Sequence, residues 1–164
     1  MKKLAVLLSV VLCLGLFAGC SQQNNNQNTT SDVTPEQIWE QVEQTINPNG
    51  DALPAFLDEV SLDMLGQLYA LTSDDIESFV LKTPMMNVQA TEIFIAKVKP
   101  GRMDAVREAV TARQKALDQT WSMYLPAQYE LVKNYKTAEK GDFFLFVIAE
   151  NADQVVSVFE SAVQ

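Results

Sequence analysis

From Thr34 onward the apolar positions change period repeatedly, and each change marks an element. Ile38, Trp39, Val42 and Ile46 fall on one face of a helix. Thr34 supplies a capping hydroxyl, Pro35 suits the first helical position and Gln37 completes a capping box. Asn47-Pro48-Asn49-Gly50 ends that helix. Helical spacing returns over 54–60, through Phe56, Leu57 and Val60, and over 62–71, through Leu62, Leu65, Leu68 and Tyr69. Ser61 caps the second of these pieces, and Asp63 favours its first turn. Residues 76–83 read as a strand stopped at Pro84, and 90–98 as a stronger one, with 84–89 as the turn between them. Pro100-Gly101 opens a long helix over about 102–124, with Val106, Val110, Leu117 and Trp121 as its stripe. Pro126 bends the chain, and a short helix continues to about 133. Residues 134–139 and 142–149 form a second hairpin around Lys140-Gly141. The last helix covers about 152–163, is capped by Asn151, and carries Val155, Val156, Phe159, Ala162 and Val163.

This order, two hairpins each followed by a helix, predicts an α+β fold: a four-stranded antiparallel sheet in ββαββα order, with flanking helices and N-terminal helices. In 143–149 both alternating sets are apolar, Phe143, Leu145 and Val147 on one face and Phe144, Phe146 and Ile148 on the other. Such a strand is buried on both sides. The two later helices are expected to cover one face and the helices before residue 72 the other; a face left uncovered would be a partner-binding surface.

The chain divides into three parts: 1–19, 20–33 and a single globular domain over 34–164. Lys2 and Lys3, an apolar run over 4–18 and small residues before a cut site make a secretory signal. As a helix the run would span roughly 22 Å at ~1.5 Å per residue, short of the ~30 Å hydrocarbon core. Leu16-Phe17-Ala18-Gly19-Cys20 resembles the bacterial lipobox, with Phe17 where that motif usually has leucine. The resemblance implies a diacylglycerol on the Cys20 thiol, cleavage before it, and a location at the extracytoplasmic face of the cell membrane. Residues 21–33 are rich in Asn, Gln and Thr and too polar to fold alone, which suits a flexible tether.

Composition narrows the chemistry. The 164 residues hold 12 Lys and Arg against 21 Asp and Glu, a net charge of −9, and loss of the leader removes two of the lysines. Without a basic patch, nucleic acid is excluded as a partner class. There is no histidine, and with Cys13 in the leader the only other cysteine is Cys20. Cys–His and Ser–His–Asp catalysis are therefore excluded, as are the usual zinc sites.

The stretch 62–163 resembles an uncharacterised domain-of-unknown-function family, number four-three-five-eight, of Gram-positive lipoproteins. The likeness rests on Met64-Leu65, Leu68-Tyr69-Ala70-Leu71, Pro84 to Asn87, Thr91-Glu92-Ile93, Arg113 and Tyr124-Leu125-Pro126-Ala127-Gln128. It implies a location and a fold, and brings no activity.

Four residues are candidates for a ligand site. Arg113 interrupts the apolar stripe of the long helix, and Glu92 shares a strand face with Phe94, Ala96 and Val98. Acid and base on two apolar faces suit either a bidentate pair fixing helix to sheet or, for Arg113, an anion site; the structural pair is favoured. Tyr124 and Gln128, with Tyr129, flank Pro126 and suit a ligand groove or the rim of a core. Asp74, Asp75 and Glu77 read as capping and solvated surface rather than as a metal site. Asn47, Asn49 and Asp51 fail as a calcium loop, since Gly50 is two positions early and Asp58 stands where glutamate belongs. Met85 and Met86, in the first hairpin turn, are expected to fold back onto the core. No catalytic residue, metal ligand or cofactor motif is readable.

The sequence thus points to a lipid-anchored, non-catalytic binding or accessory module that meets the membrane through Cys20 and a protein or cell-envelope partner through its domain. Two alternatives stand beside it. One is a cell-envelope hydrolase pairing Glu92 with Asp104 or Glu108. The other is a small-solute receptor for a transporter, against which the single lobe counts.

Overall fold

The structure, a computed structural model, describes residues 33–56 and 60–163. The expected leader over 1–19, Cys20, the expected tether up to residue 32, and residues 57–59 and 164 lie outside the described residues.

The elements run α1 (Pro35–Ile46), α2 (Leu62–Tyr69), β1 (Ile76–Lys82), β2 (Glu92–Val98), α3 (Met103–Trp121), α4 (Pro126–Lys133), β3 (Lys136–Lys140), β4 (Phe143–Ile148) and α5 (Ala152–Ala162). The four strands form one antiparallel sheet in the order β1-β2-β4-β3. The α+β architecture therefore follows the hydrophobic pattern.

Local chemistry accounts for the boundaries. Thr34 Oγ1 accepts from Gln37 N–H at 3.3 Å, and Gln37 Oε1 accepts from Thr34 N–H at 3.0 Å, closing the capping box of α1. Ser61 Oγ accepts from Met64 N–H at 3.2 Å and caps α2. Asn151 departs from expectation: its side chain makes no cap hydrogen bond at α5. The second hairpin turns through Gly141 at φ 60°, in the left-handed region that glycine enters without Cβ strain.

The helix expected over 54–60 is not formed in its described part. Phe56 bridges Pro84, and Ala55 C=O accepts from Met85 N–H at 3.0 Å. Backbone groups that a helix would have used locally are spent on the β1–β2 connection instead.

The sheet separates two cores. Phe94, Ala96, Val98, Phe144, Phe146 and Ile148 face Leu65 and Tyr69 of α2, Val106, Val110, Leu117 and Trp121 of α3, and Val132 of α4. Ile93, Ile95, Phe143, Leu145 and Val147 face Ile38, Trp39, Val42 and Ile46 of α1 with Val155 and Phe159 of α5. All six residues of β4 are buried, as double-sided apolarity requires. The assignment of helices to faces differs from expectation. Each face takes one early helix and at least one late helix, so α3 and α5 lie on opposite sides. Both faces are covered, and neither is free as a partner surface.

The outer edge strand β3 is guarded by charge. Lys136 pairs with Asp153 at 3.0 Å, Lys140 Nζ donates to Glu160 C=O, and Glu139 pairs with Arg107 on α3. Charged side chains on an edge strand discourage pairing with another chain.

Candidate functional site

Glu92 opens β2 on the face it shares with Phe94, Ala96 and Val98, and is only 2% exposed. A carboxylate there needs partners, and three elements supply them. Arg113, midway along α3, donates from Nε to Glu92 Oε1 at 2.9 Å and from Nη2 to Oε2 at 2.6 Å. Tyr69, the last residue of α2, donates its hydroxyl to Oε1 at 2.6 Å. Thr83, just beyond β1, reaches Oε2 at 3.5 Å. The guanidinium also lies 5.8 Å from the centre of the Tyr69 ring. Fork-on-fork geometry satisfies both carboxylate oxygens, which is what lets such a pair sit beneath a helix.

Electrostatics follow from this packing. Burial first, and then the Glu92 charge, push the Tyr69 hydroxyl well above its usual range, so the phenol stays a proton donor. Burial would lower the Arg113 guanidinium, but the hydrogen bonds and charge of Glu92 outweigh it and the net direction is up.

The ion pair is the floor of an open groove of about 660 Å³ between α2, α3 and the β1–β2 connection. Leu68, Leu117 and Trp121 give it apolar walls, and Gln67, Asn87 and Gln89 bring amides. Among the described residues Glu92 and Arg113 are the only charged ones that line it. Exposed apolar side chains lie on or next in the chain to its lining residues. Met85 and Met86 are 63% and 64% exposed, and Val88, Met123, Tyr124 and Leu125 are exposed as well. The expectation that Met85 and Met86 fold back onto the core is thus corrected. The connection that carries them is held outward by its bonds to Ala55 and Phe56, and Met86 lines the groove instead.

Two backbone positions beside the groove are strained. Ala70 ends α2 at φ 55° and Leu125 precedes α4 at φ 45°, a region that disfavours side chains with a Cβ. The Leu125 turn sets Tyr124 against Trp121, their ring centres 5.8 Å apart, at the groove mouth.

The structure gathers three of the four candidate residues, Glu92, Arg113 and Tyr124, in one groove. Gln128 is elsewhere. Its Oε1 accepts from Ala90 N–H at 2.8 Å, tying α4 to the start of β2, and it lines a neighbouring depression of about 340 Å³. Tyr129 donates to Asp118 at 3.1 Å.

The acids named for a hydrolase do not converge. Asp104 is 89% exposed and bound to Arg107, Glu108 is exposed, and among the described residues the groove lining holds no carboxylate besides Glu92. Among the described residues no group of three or more His, Cys, Asp or Glu could hold a metal ion.

Asp75 corrects another expectation, since it is buried rather than solvated. Its Oδ2 accepts from Thr72 N–H and Oγ1, both at 2.9 Å, and its Oδ1 accepts from Arg102 Nε at 2.9 Å and from Nη2. Arg102 hydrogen bonding chiefly, offset in part by burial, lowers its pKa below the usual 3.8. This lock pins the start of β1 to the start of α3.

Tyr69 and Thr83 were not singled out as site residues by the pattern of the sequence. Tyr69 reads as one more apolar position of its helix, and only its hydroxyl hints at a buried acceptor.

Residues 56–149 match the family described as a domain of unknown function, DUF4358. The match takes in the sheet, the groove-forming helices α2 and α3, and α4, and leaves α1 and α5 outside. No curated protein and no solved structure gives a significant match.

Proposed function

The chain belongs to the DUF4358 family, whose activity is unassigned, and on that premise we propose that it is a lipid-anchored extracytoplasmic binding module. Its anchor would be Cys20, and its groove would take a protein or cell-envelope partner. Support for the anchor is the order of Lys2 and Lys3, the apolar run over 4–18, Ala18-Gly19-Cys20, and the polar stretch 21–33. Two acyl chains give stable attachment where one gives only marginal binding. Among the described residues no helix is long and apolar enough to cross a membrane.

The observation that carries the binding role is the groove floor. Among its described residues the one acid and the one base are bound to each other, and the acid also to Tyr69, so neither is poised as a free general base or nucleophile. Around this quiet floor stand apolar walls and an exposed apolar rim, the composition of a recognition surface.

Crosslinking on intact cells tests the role, with photoreactive groups at Met86 and Tyr124 and the Cys20→Ala chain as unanchored control. A discrete partner captured at both positions by the anchored chain is expected. Labelled palmitate that fails to enter the wild-type chain, or a mature chain that does not begin at Cys20, removes the anchor. Capture that is no greater at the groove than at exposed positions on α5 removes the binding surface.

A further inference from the structure

We propose that the groove receives the free C-terminal end of a peptide bearing apolar side chains, and that Arg113 docks the terminal carboxylate. The inference rests on the groove being the docking surface of the module described above.

The first ground is the geometry of the guanidinium. Arginine carries five N–H donors in a planar fork. Arg113 spends its Nε–Nη2 edge on Glu92. Among the described residues Nη1 has no acceptor, yet no enclosed side-chain nitrogen or oxygen there lacks a partner. Nη1 is therefore open to solvent, and Arg113 lines the groove with 15% of its side chain exposed. The Nη1–Nη2 edge can still take a second carboxylate end-on, in the bidentate manner these groups prefer.

The second ground is charge. The chain has 21 acidic residues against 12 basic ones, which disfavours the approach of anions in general. The groove is the exception, because the only acid among its described lining residues is neutralised by Arg113. A carboxylate arriving there meets a neutral lining and a guanidinium already held in place, so little side-chain freedom is lost on docking.

The third ground selects a peptide over a fatty carboxylate. The side-chain amides of Gln67, Asn87 and Gln89 each carry donors and an acceptor, the complement of a peptide backbone. A hydrocarbon tail would cover these amides and leave them unpaired, which costs free energy. Met64 and Met86 offer adaptable thioether contacts for varied side chains. At about 660 Å³ the groove is the size of a small-ligand pocket, enough for a chain end and too small for a folded partner. A C-terminal residue also places a carboxylate and a side chain on one Cα. That spacing matches Arg113 and Leu117, one helical turn apart on the same face of α3.

The test uses the immobilised full chain and three probes: a randomised hexapeptide mixture with free carboxyl ends, the same mixture with amidated ends, and dodecanoate as competitor. Free-ended peptides with apolar last residues should be retained at least tenfold over amidated ones, and dodecanoate should not displace them. The Arg113→Gln/Glu92→Gln double variant keeps the floor neutral and hydrogen-bonded, and should lose the preference for free ends. Met86→Glu changes only an exposed rim residue, so it tests the groove without touching the buried pair, and should weaken retention by the same order. Equal retention of amidated and free-ended peptides overturns the inference, as does displacement by dodecanoate, or no retention at all. If groove-directed crosslinking on cells succeeds in those cases, the binding module stands and only its C-terminal specificity falls.

Discussion

Arg113→Ala is the sharpest test of how α3 is joined to the sheet. The substitution leaves Glu92, 2% exposed, with the Tyr69 hydroxyl at 2.6 Å and Thr83 at 3.5 Å but without its cation. Removing one partner of a buried pair costs about 3–5 kcal/mol. Here the lower end applies, because Arg113 keeps 15% exposure and Tyr69 still donates to the stranded carboxylate. At about 3 kcal/mol the melting temperature of a domain of this size should fall by roughly 10 °C. Thermal unfolding followed by circular dichroism at neutral pH measures it. A second signature separates the stranded charge from simple loss of packing. Adding Glu92→Gln should recover part of the loss at neutral pH. An unchanged melting curve in Arg113→Ala, or no recovery in the double variant, would refute the reasoning.

Asp75 should contribute to acid stability. Its folded value is depressed below 3.8, so its contribution is complete above that pH and is lost as the pH falls through the lower folded value. The melting temperature of Asp75→Asn minus that of wild type should be constant above about pH 5 and converge towards zero in stronger acid. Tyr69 should resist ionisation, since its hydroxyl is held well above the usual 10.0. In a spectrophotometric titration of the 4 tyrosines, Tyr69→Phe should abolish a late step that coincides with unfolding and leave the earlier steps alone. Thr34→Ala opens the capping box of α1 and should cost about 1 kcal/mol in denaturant unfolding, while Thr34→Ser should cost little.

The fold was legible where one rule governs each residue. Alternation set β2 and β4, and the Glu92 and Arg113 positions stood out because each interrupts an apolar row. What escaped depends on partners distant in sequence. Asp75 is buried because Arg102, 27 residues later, returns to cover it. Gln128 is drawn from the groove by the backbone of Ala90, 38 residues earlier. Residues 54–56 have helical spacing but lose their backbone bonds to the β1–β2 connection. The division of helices between faces was hidden for a related reason. An amphipathic stripe says that a helix covers something, whereas the side it covers is decided by how each connection leaves the sheet. The groove itself is a gap between three elements, and no run of residues encodes it.

The alternation along β2 has a consequence for how this chain can change over evolutionary time. Odd and even residues of that strand answer to different cores, Ile93 and Ile95 to one and Glu92, Phe94 and Ala96 to the other. Gaining or losing a single codon within it would exchange the two sets. The Glu92 carboxylate would then be thrust among Ile38, Val42 and Phe159, where no arginine waits. Length changes should therefore be purged from this strand far more strictly than point substitutions, with the outlying connections absorbing the variation.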